Sequence, residues 1–353
     1  MNAYQEFKII GSRPIRPDGL DKVTGRARYG ADLSMQGQIY GHVVRSPYAH
    51  AVIQSIDCSK ALAMEGVLAV MTGDDLVKPG NEMLGSGEGA MALKDLVPMV
   101  MSQGKVLFHS QAVAAVAATT PELAAEAARA VEVTYEVLPA VTDVHKALAK
   151  DAPILHDDRF PDGYPEEPTN LATHISLTVG DPDAAFERAE VVVEQTYSVP
   201  MCHQGYIEPH ACVARVDAAG RVDLWCCTQG HFAVRHYTSA VTGMDMGKIK
   251  VTASEIGGGF GGKTTVYLEP LAVVLAQKAG RPVKMVMDRG DVFRATGPAP
   301  GAETRVKLGA MRDGTLVAAD VECLMDSGAY NGNPAGSPAF MATACYKLTD
   351  ARS

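Results

Sequence analysis

The chain has 353 residues, with 32 basic and 41 acidic side chains and a formal net charge of −9. At roughly 100–200 residues per domain, this length predicts two or three domains. Apolar residues make up 47% and charged residues 21%, which is ordinary globular usage and excludes long disorder, collagen and coiled coil. The acidic balance and the lack of a Lys/Arg cluster argue against nucleic acid or an anionic membrane surface as partners.

The longest apolar runs, such as residues 271–276, are far shorter than the ~18 residues of a membrane span. The first residues show neither the basic region nor the apolar core of a signal peptide, so the cytoplasm is the expected location. Seven cysteines without a C-x-x-C pair predict small buried apolar side chains, not disulfides, zinc or an iron–sulfur cluster. His203 and His210 lie seven apart, a spacing that suits metal ligands on neither a helix nor a strand.

Residues 1–18 are interpreted as an N-terminal tail, and residues 19–150 as an α/β module. Predicted strands cover residues 38–44, 51–56 and 131–137, and an alanine-rich helix covers 121–131. Residues 77–104 carry glycines and methionines with little periodicity, which indicates a surface excursion. Residues 151–170 are rich in Pro, Asp and Glu and are interpreted as an interdomain connection.

Residues 171–353 are predicted to form a mixed α+β domain with antiparallel strand pairs. A helix is expected at 181–188, where Asp181 can cap and Pro182 suits the first turn, and a strand at 191–199. Two hairpins are expected, one joining residues 212–216 to 221–227 and the other joining 304–311 to 315–324. The overall fold class predicted for the chain is α+β.

The densest motif is Gly-Gly-Gly-Phe-Gly-Gly-Lys-Thr at residues 257–264, between a strand pattern at 249–253 and a helix pattern at 267–277. Closely spaced glycines let backbone N–H groups approach a ligand, and a following helix N-terminus favours an anion. A tight turn without a ligand would not need five glycines, because each one costs backbone entropy. The motif therefore predicts a site for a phosphorylated ligand.

Two nucleotide-binding patterns also fit this motif. It satisfies G-x-x-x-x-G-K-[ST], but only about 90 residues follow it, too few for the βα units that a P-loop fold places after the loop. It satisfies G-x-G-x-x-G as well, without the βαβ unit and downstream acidic residue of a dinucleotide site. The P-loop interpretation stays as a remote alternative.

Several segments, in order along nearly the whole chain, resemble the molybdenum-binding subunit of the xanthine dehydrogenase/aldehyde oxidoreductase family. The segments that carry the resemblance are residues 21–29, 44–51, 111–117, 135–139, 205–210, 227–230 and 257–263. The resemblance implies an α/β hammerhead-like first domain followed by the first part of a mixed α/β molybdopterin-binding domain. It also implies molybdenum held through a pterin, which in bacterial members is often extended to the cytosine dinucleotide, with no direct metal ligand from this chain.

The resemblance assigns cofactor contacts to particular residues. Gln229 is expected to reach the cofactor near the metal's oxo ligand. The backbone of the glycine loop is expected to line the same ligand sphere. The expected cofactor-binding residues are Gln229, Gly258, Gly259, Phe260, Gly261 and Gly262.

The chain departs from the xanthine-specific pattern at two substrate-lining positions. Thr264 stands where those members carry a glutamate, and Ser337 stands where they carry an arginine. A neutral pair in place of two charged groups argues against a purine substrate.

The catalytic general-base glutamate of the family lies beyond a point corresponding to Ser353, so no catalytic residue is expected within this chain. A fragment, a subunit split over two polypeptides and an inactive copy are all compatible with the sequence. The implied activity is oxidation of an aldehyde or N-heteroaromatic with water as the oxygen source, and electrons pass to 2Fe-2S and FAD subunits. The alternative is a non-catalytic cofactor-binding subunit that needs a second chain carrying the glutamate, namely the C-terminal half of the molybdenum subunit.

Overall fold

The fold is that of a computed structural model, which describes residues 7–86, 89–158, 168–330 and 336–353. Parts of the predicted tail (1–6), excursion (87–88) and interdomain connection (159–167) lie outside the described residues. The strands are β1 (Ile39–Arg45), β2 (Ala51–Asp57), β3 (Val67–Thr72), β4 (Met83–Ser86), β5 (Gly89–Ala92), β6 (Lys105–Val106), β7 (Ala112–Ala118), β8 (Glu132–Val137), β9 (Thr178–Val179), β10 (Val191–Val199), β11 (Ala211–Val216), β12 (Val222–Cys226), β13 (Ile249–Ala253), β14 (Val283–Val286), β15 (Ala302–Ala310), β16 (Leu316–Met325) and β17 (Ala351–Arg352).

The helices are α1 (Gly19–Val23), α2 (Ser59–Leu62), α3 (Leu93–Val100), α4 (Pro121–Ala130), α5 (Val144–Ala147), α6 (Pro182–Arg188), α7 (His231–Thr242), α8 (Glu269–Ala279), α9 (Arg289–Ala295) and α10 (Gly336–Met341). Within the described ranges, no helix is both long and apolar enough to cross a bilayer.

The largest sheet has seven strands in the order β13-β12-β11-β14-β1-β7-β3. A five-stranded sheet has the order β10-β15-β16-β17-β9, a smaller one has β6-β2-β8, and β4 pairs with β5. In the large sheet β1 runs parallel to β14, with Ile39 opposite Val283. Strands from both sides of residues 151–170 therefore share one sheet, and the division into residues 19–150 and 171–353 stays a prediction.

Strand β7 lies at the centre of the packing, and all of its residues are buried. Its side chains alternate between two cores, since Ala115 and Ala117 pack with α8 while Ala114 and Val116 pack with α4. A strand covered on both faces needs apolar residues at every position, and alanines let both helices approach closely.

The prediction that residues 77–104 form a surface excursion is wrong. This segment contains β4, β5 and α3, and the α3 residues Leu93, Leu96, Val97 and Val100 belong to the main core. Their spacing of three and four residues is that of a helix face, but Pro98 and the flanking glycines concealed it.

The prediction of buried cysteines holds for Cys212, Cys226 and Cys227. It is wrong for Cys202 and Cys345, which are exposed, while Cys58 and Cys323 are half-buried. Burial raises the pKa of the Cys227 thiol to about 11, so this thiol stays protonated at neutral pH.

A chain of hydrogen bonds within the fold fixes the segment that leads into β11. The hydroxyl of Tyr206 lies 2.8 Å from Nε2 of His210 and 3.3 Å from the hydroxyl of Thr296, which in turn lies 2.9 Å from Nε2 of His203. Burial, followed by the charges of Lys263 and His203, lowers the pKa of His210 to about 3. His210 is therefore neutral at pH 7, and its Nε2 shares an uncharged hydrogen bond with the Tyr206 hydroxyl.

Truncation of Leu96 to alanine tests the place of α3 in the core. Leu96 is fully buried, so Leu96→Ala should lower the free energy of unfolding by about 2–5 kcal/mol. The control is Leu62→Ala, because Leu62 is 55% exposed and its loss should change stability by less than about 0.5 kcal/mol. Equal effects of the two variants in urea unfolding would show that α3 is not a core helix.

The buried neutral His210 predicts a loss of stability in acid. Its folded pKa, about 3, lies below its ordinary value of 6.5, so below pH 6.5 only the unfolded chain takes up this proton. Stability should fall by up to about 1.4 kcal/mol per pH unit between these two values. His210→Gln should remove this part of the slope in urea titrations from pH 7 to 4.5, whereas replacement of the exposed His145 by Gln should not. An unchanged slope in His210→Gln would contradict the assignment.

Candidate functional site

Three chain segments meet at one edge of the seven-stranded sheet. Strands β12 and β13 are parallel, so the residues that follow them, 227–230 and 254–264, leave the sheet on the same side. Strand β11 is antiparallel to β12, so the segment that precedes β11 reaches the same edge. This topology brings Gln229, the glycine loop at residues 257–264 and Glu208 together.

Gln229 holds the second half of the glycine loop. Its Oε1 accepts hydrogen bonds from the N–H groups of Gly261 (3.0 Å) and Lys263 (3.2 Å). Its own N–H donates to the carbonyl of Lys263 at 2.9 Å. The Nε2 donors of Gln229 make no hydrogen bond to any residue that the structure describes, and the side chain is exposed to solvent.

Glu208 and Lys263 form a buried ion pair beneath the loop. Nζ of Lys263 lies 2.8 Å from Oε2 of Glu208, and their side chains are 0% and 6% exposed. The same Oε2 accepts from the N–H of Gly257 at 2.7 Å, and Oε1 accepts from the N–H of Gly30 at 3.0 Å. The lysine charge is thus neutralised inside the protein.

Close contacts explain two of the glycines. A Cβ at Gly259 would lie 2.4 Å from Oε1 of Gln229, and a Cβ at Gly257 would lie 2.6 Å from Cβ of Glu208. Between the glycines, Phe260 has a φ of +50° and its side chain is 75% exposed. A non-glycine residue in the left-handed region is strained, and such strain concentrates at functional sites.

Three consecutive loop amides are free to bind a ligand. The N–H groups of Gly257, Gly261 and Lys263 are bonded to side chains, and that of Gly262 donates to the carbonyl of Gly259 at 2.8 Å. Those of Gly258, Gly259 and Phe260 have no hydrogen-bond partner among the described residues. Together with Nε2 of Gln229, they form a set of neutral donors suited to an oxo or phosphate oxygen.

The geometry does not fit a P-loop. In that motif the lysine would contact phosphates at the start of a helix. Here Lys263 is buried against Glu208, and α8 begins six residues later at Glu269. The carboxylate of Glu269 accepts from the N–H of Tyr267 just before this helix, and the expectation that the helix N-terminus favours an anion stays a prediction.

The two predicted substrate-lining residues lie on different elements. Thr264 is half-buried at the end of the loop, and its hydroxyl donates to the carbonyl of Gly261 at 3.0 Å. Ser337 is exposed on α10, which packs against β16 of the five-stranded sheet. No hydrogen bond or ion pair of the described residues joins Ser337 to the loop. Their roles toward a substrate stay a prediction.

Glu208 was part of the sequence motif at residues 205–210 but was not identified as a site residue. Its partner Lys263 lies 55 residues away, so no local spacing connects the two charges. No signal in the local sequence marks Glu208 as the partner of Lys263.

Comparisons with known proteins agree with this geometry. Residues 164–353 match the molybdopterin cofactor-binding domain family, and residues 24–139 match the a/b hammerhead domain of aldehyde oxidase and xanthine dehydrogenase. The predicted fold class is thereby confirmed.

Individual relatives match over almost the whole of this chain. The nicotinate dehydrogenase large molybdopterin subunit of Eubacterium barkeri is 33% identical, and the match covers 92% of this chain and 72% of that subunit. The carbon monoxide dehydrogenase large chain of Afipia carboxidovorans is 35% identical, and the match covers 97% of this chain and 42% of the relative. This chain thus spans less than half of the length of several relatives.

A solved structure shows the same relation. Quinoline 2-oxidoreductase from Pseudomonas putida 86 superimposes with a TM-score of 0.82 at 28% identity, covering 97% of this chain and 44% of that one. The names of these relatives are those of oxidoreductases, and several are named as large chains or subunits. The chain therefore belongs to the molybdopterin-binding subunits of the xanthine dehydrogenase/aldehyde oxidoreductase family.

Proposed function

We propose that the chain is the molybdopterin-binding part of a molybdenum hydroxylase. The observation that carries this proposal is the set of free donors formed by the amides of Gly258, Gly259 and Phe260 and by Nε2 of Gln229. When bound, the molybdenum–pterin group supplies two-electron oxidation–reduction with oxygen transfer from water. The described residues fit such a group because they offer several fixed N–H donors on a partly exposed loop whose own lysine is paired with Glu208.

The chain's own residues would bind and orient the group. Gln229 would direct its Nε2 donors outward, since both loop amides that contact it bond to Oε1. Gly261, where a Cβ would meet nothing within 4 Å, leaves open space beside these donors. The pterin would be the molybdopterin or its cytosine dinucleotide, and electrons would leave through 2Fe-2S and FAD groups on partner chains.

The substrate class that we propose is an aldehyde or an N-heteroaromatic other than a purine. The neutral Thr264 and Ser337 support the exclusion of purines, because charged side chains bind the purine in the xanthine-specific pattern. Relatives are named for nicotinate, quinoline and carbon monoxide, so their names do not narrow the choice. The general-base glutamate would come from polypeptide that corresponds to the unmatched part of the longer relatives.

An apolar surface supports the need for further polypeptide. The edge strand β10 is exposed along its whole length. Its side chains on one face include Val193, Tyr197 and Val199, which are 59%, 55% and 58% exposed. The pairing with β15 places Val306 and Leu308 on the same face, while the other face carries Glu194, Lys307 and the packed helix α6.

We define the side of β10 with Val193, Tyr197 and Val199 as the apolar β10 face. An apolar sheet face of this kind is normally covered by another layer. We propose that the covering layer is the rest of the molybdenum-binding unit, the C-terminal half, in the same or a separate polypeptide. This arrangement also supports the alternative that the chain binds cofactor without completing a catalytic site by itself.

Gly259→Ala tests the cofactor site. The added Cβ would collide with the Gln229 carboxamide, so the variant should retain roughly tenfold less molybdopterin and molybdenum per chain, as expected for the loss of one or two good hydrogen bonds. The full chain would be produced in a host that makes molybdopterin and analysed for pterin and metal. Gly80→Ala, where the new Cβ makes only an ordinary contact at 3.9 Å, is the control. A wild-type chain that holds no pterin in any co-purified complex, or that binds ATP with magnesium instead, would contradict the proposed function.

Glutamate substitutions at two neighbouring valines, one on each face of β10, test whether the apolar β10 face is covered by a further polypeptide layer. Val193→Glu places a charge on the apolar β10 face and should abolish co-purification of the complementary polypeptide, because burial of an unpaired carboxylate is costly. Val192→Glu places the same charge on the face that already carries Glu194 and should leave the complex intact. If both variants behave alike in pull-down and size-exclusion measurements, this face is not the interface.

A further inference from the structure

Glu208 connects three separate parts of the chain through one carboxylate. Oε1 accepts from the N–H of Gly30, and Oε2 accepts from the N–H of Gly257 and from Nζ of Lys263. These donors come from the segment before β1, from the start of the glycine loop and from its end. The residue is 7% exposed, so water does not compete for these bonds.

The loop amides divide between two side chains. Glu208 takes the amide of Gly257, and Gln229 takes those of Gly261 and Lys263. Between the two anchors remain the free amides of Gly258, Gly259 and Phe260. Both ends of the loop are thus held by hydrogen bonds to buried or neighbouring side chains, while the N–H groups in its middle have no hydrogen-bond partner among the described residues.

We propose that Glu208 is a positioning residue for the cofactor loop. It holds Gly257 and Lys263 so that the three free amides keep one orientation toward a bound oxygen. The proposal rests on the proposed function for the identity of the ligand, molybdopterin, but not for the mechanical role of Glu208. Glu208 does not itself touch the ligand in this assignment.

The position requires a carboxylate. Both oxygens accept, on opposite sides of the group, and a glutamine could accept on one side only. Glu208→Gln must therefore give up either Gly30 or Gly257, and it leaves Lys263 buried without a counter-charge. Lys263→Met leaves the Glu208 carboxylate buried without a counter-charge, whereas the double variant has no buried charge at this position.

The experiment compares Glu208→Gln, Lys263→Met, their double variant and Gly257→Ala in the full chain with whatever co-purifies. Glu255→Gln is the matched control, because it removes an ion pair with Lys22 on the strand side of the loop but bonds no loop amide. Three quantities are measured: the urea midpoint, the pterin retained per chain, and hydrogen–deuterium exchange of the peptide containing residues 257–263. The control should change none of them by much.

Both single-charge variants should lose stability and retain roughly tenfold less pterin, the scale of one lost charge-assisted anchor. The double variant should recover most of its stability but not its pterin, and its loop peptide should exchange faster than in the wild type. Gly257→Ala, whose Cβ displaces the loop from Glu208 while both charges remain, should lose pterin with a smaller loss of stability.

Recovery of pterin along with stability in the double variant would overturn the proposal, since Glu208 would then serve stability alone. A pterin content in Gly257→Ala equal to that of the wild type would also overturn the proposal. If the wild-type chain binds no pterin, the proposed function fails, and the exchange of the loop peptide decides the role of Glu208 by itself. Unchanged exchange in both the double variant and Gly257→Ala would then overturn it.

Discussion

The buried ion pair between Glu208 and Lys263 is the interaction on which the arrangement of the loop depends. Removing two charges from water costs several kcal/mol per ion, and their attraction offsets this only when the remaining acceptor positions are also filled. Here the N–H groups of Gly30 and Gly257 fill them. The pair is therefore satisfied only when three separate segments meet within hydrogen-bond distance, and this requirement shapes a loop whose glycines have little conformational preference of their own.

Sheet topology makes this meeting possible. The parallel pair β12 and β13 and the antiparallel pair β11 and β12 place one end of each strand at a common edge. Short connections from that edge supply Glu208, Gln229 and the glycine loop. The hydrogen-bonded chain of His203, Thr296, Tyr206 and His210 then fixes the segment that carries Glu208 against the core. Site geometry thus follows from backbone pairing together with a few buried polar contacts.

Local patterns predicted those elements whose determinants are local. Strand β10 was predicted at residues 191–199, a segment rich in β-branched residues, and α4 was predicted at residues 121–131 from its alanines. The parallel contact of β1 with β14 joins residues more than 200 positions apart and has no local pattern. Helix α3 was missed because a proline interrupts its apolar face. The glycine loop was identified, since its composition is unusual, but its dependence on Glu208 required the tertiary structure.

The pairing of Lys263 also explains why a motif match was misleading. The string at residues 257–264 satisfies the P-loop pattern, in which a lysine supplies a positive charge to phosphates. In this fold the same lysine is paired with Glu208, so in the proposed site the loop would attract a ligand oxygen through amide dipoles instead of a fixed charge. Dipolar attraction falls off faster with distance than the attraction of a charge, so the binding energy depends strongly on accurate placement of the donors. In the proposed site, the space at Gly259, where an added Cβ would collide with Gln229, and the anchor at Gly257 would therefore matter more for ligand binding than the lysine that the pattern emphasises.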